Sequence, residues 1–520
     1  MPSAHALVTP LDADHCYPAL RARDSRFDGH WFVGVSSTGI YCRPICRVRT
    51  PKRENCSFFL NASQAENAGY RPCMKCRPEL APRATQPVWS TMDASGQLAH
   101  QAACALTAHI AESDDASRPE CAVTESVAAR LGISSRHLRR IFAATFGVSP
   151  LHYLQTQRLL LAKALLTDTT RPVLDIALAS GFKSLRRFND AFLHQYRMPP
   201  TRLRAMKETH PTASSAKQPE QQTLRLDYRP PLNAQALLEF FAARAIPGVE
   251  AVDLQTLTVS RSLAVATGPQ VRQGWIRAHF PLGKAQMHLT LSDSLWPAIA
   301  QVLPLVRRWL DLDAEPEAIA LSLASLAAPT VGLRLPGCTD RFELAVRAVL
   351  GQQVTVAAAR TLSTRFVCRF GEPLETREIR PEGVALLFPS PARVADARVE
   401  DIAELGIIRQ RAECLRAIAR RWPTLQYAQL EPQGQGKVDE ALAELQSLPG
   451  LGPWTAQYML MRGWSWPDLF PPGDVVLQKQ LSPPGQKSPP GQVARMAESF
   501  RPYRSYAVLQ LWRQALAQTS

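Results

Sequence analysis

At 520 residues the chain is too long for one hydrophobic core, and domain-size scaling divides it into roughly three or four domains. Hydrophobic residues at 46% and charged residues at 20% are ordinary for a globular protein, and no run approaches the roughly 20 apolar residues that cross a bilayer, which excludes a membrane-spanning chain. Sixty Lys and Arg against 45 Asp and Glu leave a formal charge of +15, which favours a polyanionic partner, nucleic acid before a membrane surface; the bland alternative is a basic enzyme with a solvated surface.

Met1 to Asp12 has no charged segment followed by an apolar core, so no signal peptide is expected and a cytoplasmic location follows. There, cysteines serve more often as metal ligands or nucleophiles than in disulfides. Residues 14–82 are rich in Cys, Arg, Pro and Gly, with a short alternating stretch at Trp31–Val35 that predicts a strand. A weakly patterned connector spans 84–96. Helical periodicity then runs from about His100 to Met206, broken by a polar loop at 112–120, and the polar stretch 207–222 reads as a linker. Beyond it come short alternating runs at Leu257–Arg261, Leu263–Thr267, Ile276–Phe280 and Met287–Leu291, beside one predicted helix at Ala234–Arg244. They suggest a small antiparallel α+β domain. From Arg341 the pattern is helical again, with Gly and Pro breaks, to the end.

Four cysteines form two close pairs, Cys42 with Cys46 and Cys73 with Cys76. Each short spacing lets both sulfurs face one ion, and two pairs complete a tetrahedral thiolate site suited to zinc. Spacing alone suits a purely structural zinc knob as well. The surrounding stretches, Y-C-R-P-I-C-R, R-E-N-C-S-F and R-P-C-M-K-C, resemble the methyl-acceptor domain of the Ada family over roughly residues 10–80. The resemblance implies that Cys42 takes a methyl group from a DNA methylphosphotriester while Cys46, Cys73 and Cys76 complete the zinc site. A tetrathiolate zinc site is formally doubly negative and repels a DNA phosphate, whereas a phosphotriester is neutral. Methylation halves the charge, and tighter DNA binding through Arg43, Arg47, Arg49, Lys52 and Arg53 is then expected, an electrostatic switch.

Two helix-turn-helix patterns follow. In the first, Thr124 is expected to cap a helix through Val127, Ala128 and Leu131, Gly132 turns the chain, and Ser134 caps a helix over Ser135–Phe142. That second helix turns Arg136, His137, Arg139 and Arg140 outward. In the second unit, Ile176–Ser180, Gly181 and Ser184–Phe192 repeat the arrangement, exposing Arg186, Arg187 and Asn189. Either unit alone could be an ordinary helical hairpin. The doubling, with I-A-L-A-S-G-F-K-S-L-R-R-F-N, resembles AraC-type DNA-binding domains over about Thr124 to Arg204, which implies a transcription activator that reads promoter DNA and works with RNA polymerase.

In L-P-G-L-G-P-W-T-A-Q-Y, Leu448 to Tyr458, Gly450 and Gly452 permit a tight turn between helices whose free N–H groups can hold a DNA phosphate, a helix-hairpin-helix. About twenty residues on, Asp474 opens another helix, where it would serve equally as an N-cap. Together these resemble the helix-hairpin-helix, Gly-Pro-Asp glycosylase superfamily, most of all DNA-3-methyladenine glycosylase II, over about Leu224 to Trp512. Further stretches in common are F-F-A-A-R-A, L-R-L-P-G-C, R-A-V-L-G-Q-Q-V and R-S-Y-A-V-L-Q-L-W. The resemblance implies that Asp474 is the catalytic carboxylate and that Trp454, Tyr458 and Trp512 line an aromatic pocket for a flipped-out cationic base. Gln353 stands where the family has a DNA-wedge leucine, and Val475 replaces a pocket tyrosine. Trp454 occupies the position of the lyase lysine of bifunctional members, so a monofunctional glycosylase is expected. Cys338, Cys368 and Cys414 lack iron–sulfur spacing, a near-duplicated S-P-P-G-Q segment is inserted at 482–492, and no Pro-Cys-His motif of an alkylguanine transferase is found.

The fold class that follows is multidomain and mainly α. It comprises a zinc methyl-acceptor domain at 10–83, an AraC-type domain at 100–206, a linker at 207–222, a TBP-like α+β domain at 223–336 and an all-α glycosylase domain at 337–520. The function that follows is repair of alkylated double-stranded DNA and its regulation, by a monomer. The competing reading is a transcription regulator whose glycosylase half only binds damaged DNA.

Overall fold

The computed structural model describes residues 11–83, 94–110, 120–208, 223–267, 270–327, 329–376, 378–429, 435–483 and 486–519. The 112–120 loop, the 84–96 connector and the 207–222 linker therefore lie almost wholly outside the described residues.

The cysteine-rich module is built on four strands, β1 (Phe32–Val35), β2 (Ile40–Cys42), β3 (Cys56–Phe59) and β4 (Arg71–Pro72), in the order β3-β1-β2-β4. The run at Trp31–Val35 supplies the inner strand β1, antiparallel to β2 with Val33 opposite Cys42. Gly34 is required there, because a Cβ would lie 2.8 Å from the Phe59 and Tyr70 rings. Helices α1 (Ala13–Ala22) and α2 (Ala62–Asn67) flank the sheet, each N-capped by a side chain, Asp12 and Asn61.

Seven helices follow: α3 (Ala94–His109), α4 (Glu120–Arg130), α5 (Ser135–Phe146), α6 (Pro150–Asp168), α7 (Val173–Ala179), α8 (Leu185–Tyr196) and α9 (Pro200–Glu208). Ser134 and Ser184 cap α5 and α8, accepting from the backbone N–H of His137 and Arg187. Thr124 is not a cap. Helix α4 begins at Glu120 and buries Thr124, because Val123 stands one turn before Val127 and extends the apolar stripe. Helix α6 joins the two units: Leu154 packs with Leu138 and Phe142 of the first, while Leu159, Leu165 and Leu166 pack with Ile176, Phe188 and Phe192 of the second.

Helix α2 rests on α6 and buries Glu66, which accepts a 3.0 Å hydrogen bond from the Tyr41 hydroxyl. Burial raises the Glu66 carboxyl to about 8, against the hydrogen bonds of Thr156 and Tyr41 that lower it. The folded protein therefore keeps a proton that the unfolded chain releases above its ordinary value of 4.5. The stability this group contributes is full below about pH 4.5 and is lost as pH rises towards 8. A Glu66→Gln variant, neutral at every pH, should show a flatter decline of denaturation midpoint between pH 5 and 8 than wild type, roughly the window set by these two values. Parallel midpoint-against-pH curves for the two proteins would remove Glu66 as the source.

The α+β domain is a five-stranded antiparallel sheet of β5 (Thr223–Asp227), β6 (Glu250–Asp253), β7 (Thr258–Thr267), β8 (Gln270–His279) and β9 (Gln286–Leu291), in the order β5-β9-β8-β7-β6. The two runs read at Leu257–Arg261 and Leu263–Thr267 are one continuous strand, β7. Strands β5 and β6, both at sheet edges, were not expected. Helices α10 (Ala234–Ala242) and α11 (Ile299–Trp309) contribute to the core behind the sheet.

Edge strand β5 also joins the two halves of the protein. Leu224 and Leu226 face the sheet core, while the alternate residues Arg225, Asp227 and, past the strand end, Arg229 face the N-terminal half. Arg225 donates to Asp168 of α6 (2.7 and 3.0 Å), which also binds Arg77 (2.7 Å). Asp227 accepts from Arg43 (2.6 Å), and Arg229 donates to the carbonyls of Asp28, Asp313 and Arg83 at 2.9–3.0 Å. This corrects one expectation from the sequence. Arg43 is only 2% exposed, held by Asp28 and Asp227 and by the Cys76 carbonyl, so it braces the domain junction and does not face DNA. Charge and position next to Cys42 made it look like a phosphate contact; only the fold shows two carboxylates already enclosing it.

The C-terminal domain packs its helices around one continuous core that includes Phe342, Val346, Leu415, Ile418, Met459 and Leu477. Its first helix, Arg341–Leu350, is capped by Asp340 and meets the hairpin helix Pro453–Gly463. A buried lattice of Arg261 and Arg347 with Glu250 and Glu343 ties it to the α+β domain.

Candidate thiolate metal centre and base pocket

Strand β2 runs parallel to β4, pairing Tyr41 with Pro72, and the Cys73 N–H donates to the Tyr41 carbonyl at 2.9 Å. That register puts Cys42, which ends β2, and Cys73, which follows β4, side by side, and the turns after them carry Cys46 and Cys76. The four sulfurs lie within 4.8 Å of one another, with Cys42, Cys46 and Cys73 each 5% exposed. The backbone N–H of Arg43 donates to Cys76 Sγ at 3.3 Å, as expected where sulfur carries negative charge. Four thiols this close cannot all ionise on their own, because each thiolate would face three like charges. A divalent cation resolves that conflict, because each thiolate then faces the cation's charge. Four sulfurs with no oxygen donor suit a soft or borderline ion in tetrahedral geometry.

A pocket of about 250 Å³ opens over Cys42, Cys46 and Cys73. Its walls are Leu20, Val33, Val35, Ile40 and Val48, with Arg49 and Thr50 also lining it. Arg47, Arg49 and Lys52 are exposed in this module. On the helix-turn-helix units Arg136, Arg139 and Arg140 are exposed on α5, and His137 is half-buried with Nδ1 3.2 Å from Arg140. Arg186, Arg187 and Asn189 are exposed on α8.

In the C-terminal domain Asp474 is at once a helix cap and the centre of a polar constellation. Its Oδ1 accepts from the backbone N–H of Val476 (2.9 Å) and Leu477 (3.0 Å), and its Oδ2 accepts 2.8 Å from the Trp454 indole. The cap therefore orients the carboxylate, which is 9% exposed, and the two sequence readings of Asp474 do not exclude each other. Trp454 stacks on Tyr458 with ring centroids 5.2 Å apart and planes 9° apart, and Trp512 lies 6.2 Å from Tyr458. Trp454, Tyr458 and Arg462 follow at four-residue steps along one helix face. Burial alone would raise Tyr458, but Arg462 and then Arg244 more than offset it and hold its hydroxyl below the ordinary phenol range. Arg462 donates to that hydroxyl at 2.7 Å, while the Arg244 guanidinium sits 3.7 Å over the Phe240 ring. Sequence reasoning passed over both arginines, although the four-residue step from Trp454 could have found Arg462.

Gly450 takes φ +86°, and a Cβ there would lie 3.1 Å from Cys414, so the hairpin turn is pressed onto the helix Arg409–Arg421. Gly450 and Gly452 are exposed, and Gly452 is the N-cap residue of the Trp454 helix. Gln353 is exposed with φ +53° in the short loop between Arg341–Leu350 and Val356–Phe370.

A four-cysteine cluster able to hold a metal, paired helix-turn-helix units and a hairpin with a downstream aspartate define a DNA-binding repair protein of composite architecture. Four family models match in chain order: the metal binding domain of Ada (15–79), a helix-turn-helix domain (127–206), the AlkA N-terminal domain (223–340) and the HhH-GPD superfamily of base excision DNA repair proteins (346–496). The chain is 33% identical to a probable bifunctional transcriptional activator/DNA repair enzyme AlkA of Mycobacterium tuberculosis over 516 residues, 96% of each chain. It is 37% identical to DNA-3-methyladenine glycosylase 2 of Escherichia coli over 55% of this chain and 95% of that one. It is also 39% identical to the bifunctional transcriptional activator/DNA repair enzyme Ada of Escherichia coli, over 29% of this chain and 38% of that one. The chain belongs to the family of bifunctional transcriptional activator/DNA repair enzymes that join an Ada-type N-terminal half to an AlkA-type glycosylase. No helix among the described residues is long and apolar enough to cross a membrane.

Proposed function

We propose that the protein excises alkylated bases such as 3-methyladenine from double-stranded DNA, and that its N-terminal half removes methyl groups from DNA phosphotriesters and activates transcription in response. The observation that carries the first part is the Asp474 carboxylate, oriented by two backbone N–H groups and the Trp454 indole beside a stacked aromatic pair. An alkylated purine carries positive charge, so the C1′–N bond breaks with its electron pair leaving on the base, which departs neutral. The anionic carboxylate stabilises the cationic sugar and takes up the proton of the water that adds to C1′. The product is a free base and an intact abasic site. Trp454, where a lyase would carry lysine, offers no amine for a Schiff base.

At the second site, zinc held by Cys42, Cys46, Cys73 and Cys76 would keep the sulfurs as thiolates near neutral pH. The apolar pocket over Cys42 favours a neutral methylphosphotriester over an ionised phosphate. The Cys42 sulfur attacks the methyl carbon, an S–C bond forms, and the C–O bond breaks with its electron pair on the phosphodiester. One negative charge leaves the cluster, and DNA is then held more tightly by Arg47, Arg49, Lys52 and Arg53 together with the α5 and α8 surfaces. The protein acts as a cytoplasmic monomer, with promoter DNA and RNA polymerase as its partners in activation.

Both activities are read in one experiment. Methylated duplex DNA incubated with the protein should release 3-methyladenine, and mass spectrometry should find one added methyl on the peptide carrying Cys42 but none on Cys42→Ser. Methyl uptake that persists in Cys42→Ser would reassign the acceptor. A wild-type protein that binds damaged DNA but releases no base would reduce the C-terminal half to a recognition module.

A further inference from the structure

The loop Gly351–Val354 leaves the helix Arg341–Leu350 and enters the helix Val356–Phe370, which Thr355 caps. Within it Gln353 is exposed and takes a left-handed backbone, φ +53°, that a non-glycine residue adopts only when its neighbours hold it. The residue before it does that. The Gln352 N–H donates to the Val349 carbonyl at 3.2 Å, and the Gln352 carbonyl accepts from the Arg411 guanidinium. The Gln352 side-chain amide nitrogen donates to the Gly450 carbonyl at 2.9 Å and to Thr455 Oγ1 at 3.0 Å. The Gly450 carbonyl can only accept, so the nitrogen and not the oxygen of the amide faces it.

The partners of Gln352 belong to the rest of the apparatus. Gly450 is the turn of the hairpin, and Thr455 adjoins Trp454, whose indole binds Asp474. Arg411 shares its helix with Cys414, against which Gly450 is packed. One amide thus bridges the loop that presents Gln353 and the hairpin that anchors the phosphate, a few bonds from the carboxylate.

We infer that Gln352 is a positioning residue that fixes Gln353 relative to the hairpin, so that anchoring a phosphate and filling the gap left by the flipped base are one rigid event. This rests on the glycosylase reading above. Gln352 touches neither the base nor C1′ and acts only through Gln353. A methionine of similar length keeps the packing and removes both donors. A glutamate would set a carboxylate against the Gly450 carbonyl, so it should be at least as defective.

The test is a double-mutant cycle on the full chain with a duplex carrying one 7-methylguanine and a neighbouring 2-aminopurine, whose fluorescence rises when its stacking is disturbed by insertion and flipping. Gln352→Met should lower single-turnover base release about tenfold, the scale of two lost neutral hydrogen bonds. It should lower the 2-aminopurine signal in parallel and bind a duplex with a tetrahydrofuran abasic analogue within about twofold of wild type, since no base must then be flipped. In a Gln353→Ala background the same substitution should have no further effect. Losses that simply multiply in the double variant would overturn the inference, as would an unchanged fluorescence signal in Gln352→Met. The fluorescence arm reads insertion even if wild type released no base, which separates failure of this inference from failure of the glycosylase reading.

Discussion

Asp474→Asn should lower base release from methylated duplex DNA by roughly 10²- to 10³-fold, the range seen when one preorganised electrostatic stabiliser is removed. The substitution keeps the shape and one carbonyl oxygen, so the helix cap over Val476 and Leu477 can survive. On the proposed mechanism, what disappears is the negative charge facing the developing cation. The amide also sets an N–H donor against either the Trp454 indole or the backbone donors, since all partners of Asp474 are donors. A second variant separates these effects. Trp454→Phe removes the 2.8 Å hydrogen bond but retains the carboxylate, and should lose only about tenfold, the scale of one charge-assisted hydrogen bond. Equal losses in both variants would mean that orientation, not charge, limits the reaction. Unchanged release by Asp474→Asn, with DNA binding intact, would move catalysis to another group.

The second large effect is expected at the junction between the halves, beside the thiolate cluster. Arg43→Met should destabilise the junction between the halves by about 3–5 kcal/mol, because it leaves the buried carboxylate of Asp28 and the half-buried one of Asp227 without their cation. Asp28 is almost fully buried, and Asp227 loses its partner at the start of the glycosylase half. In a chain of several domains the appropriate readout is local, so hydrogen exchange of the β5 amides, Thr223–Asp227, should speed up before the hairpin helix is affected. Arg43→Lys restores a charge but cannot reach both carboxylates and the Cys76 carbonyl with a planar fork, and should fall between the two. Exchange rates at β5 that match wild type in Arg43→Met would show that the junction is held by packing alone. The alternating Arg225, Asp227 and Arg229 would then be bystanders.

These two sites differ in how far they could be read without the fold. The Cys42–Cys46 and Cys73–Cys76 pairs, the Gly450–Gly452 turn and the Ser134 and Ser184 caps are signals within a few residues of one another, and each needs only backbone geometry to have meaning. Asp474 was legible because a proline-glycine turn precedes it at a set interval after the hairpin. Helix ends were less legible: Thr124 has the composition of a cap, but the apolar stripe continues through Val123 and the helix starts earlier. Strand β5 was missed because it is short and its outward residues are charged, which reads as solvent exposure when the covering half is not in view.

The sequence by itself determined which chemical groups the protein has and in what order its modules occur: the thiolate pairs, the two capped basic helices, the glycine hairpin and the carboxylate after it. Only the tertiary structure decided what those groups face. It turned Arg43 from DNA to Asp227, 184 residues away, set the Trp454 indole on Asp474, and placed Gln352 between the Gln353 loop and the hairpin. The physical reason is that spacing and periodicity constrain a side chain's neighbours within a turn or two of its own backbone. Partners across the fold are selected by burial, because a guanidinium or an amide removed from water must find its acceptors wherever packing brings them.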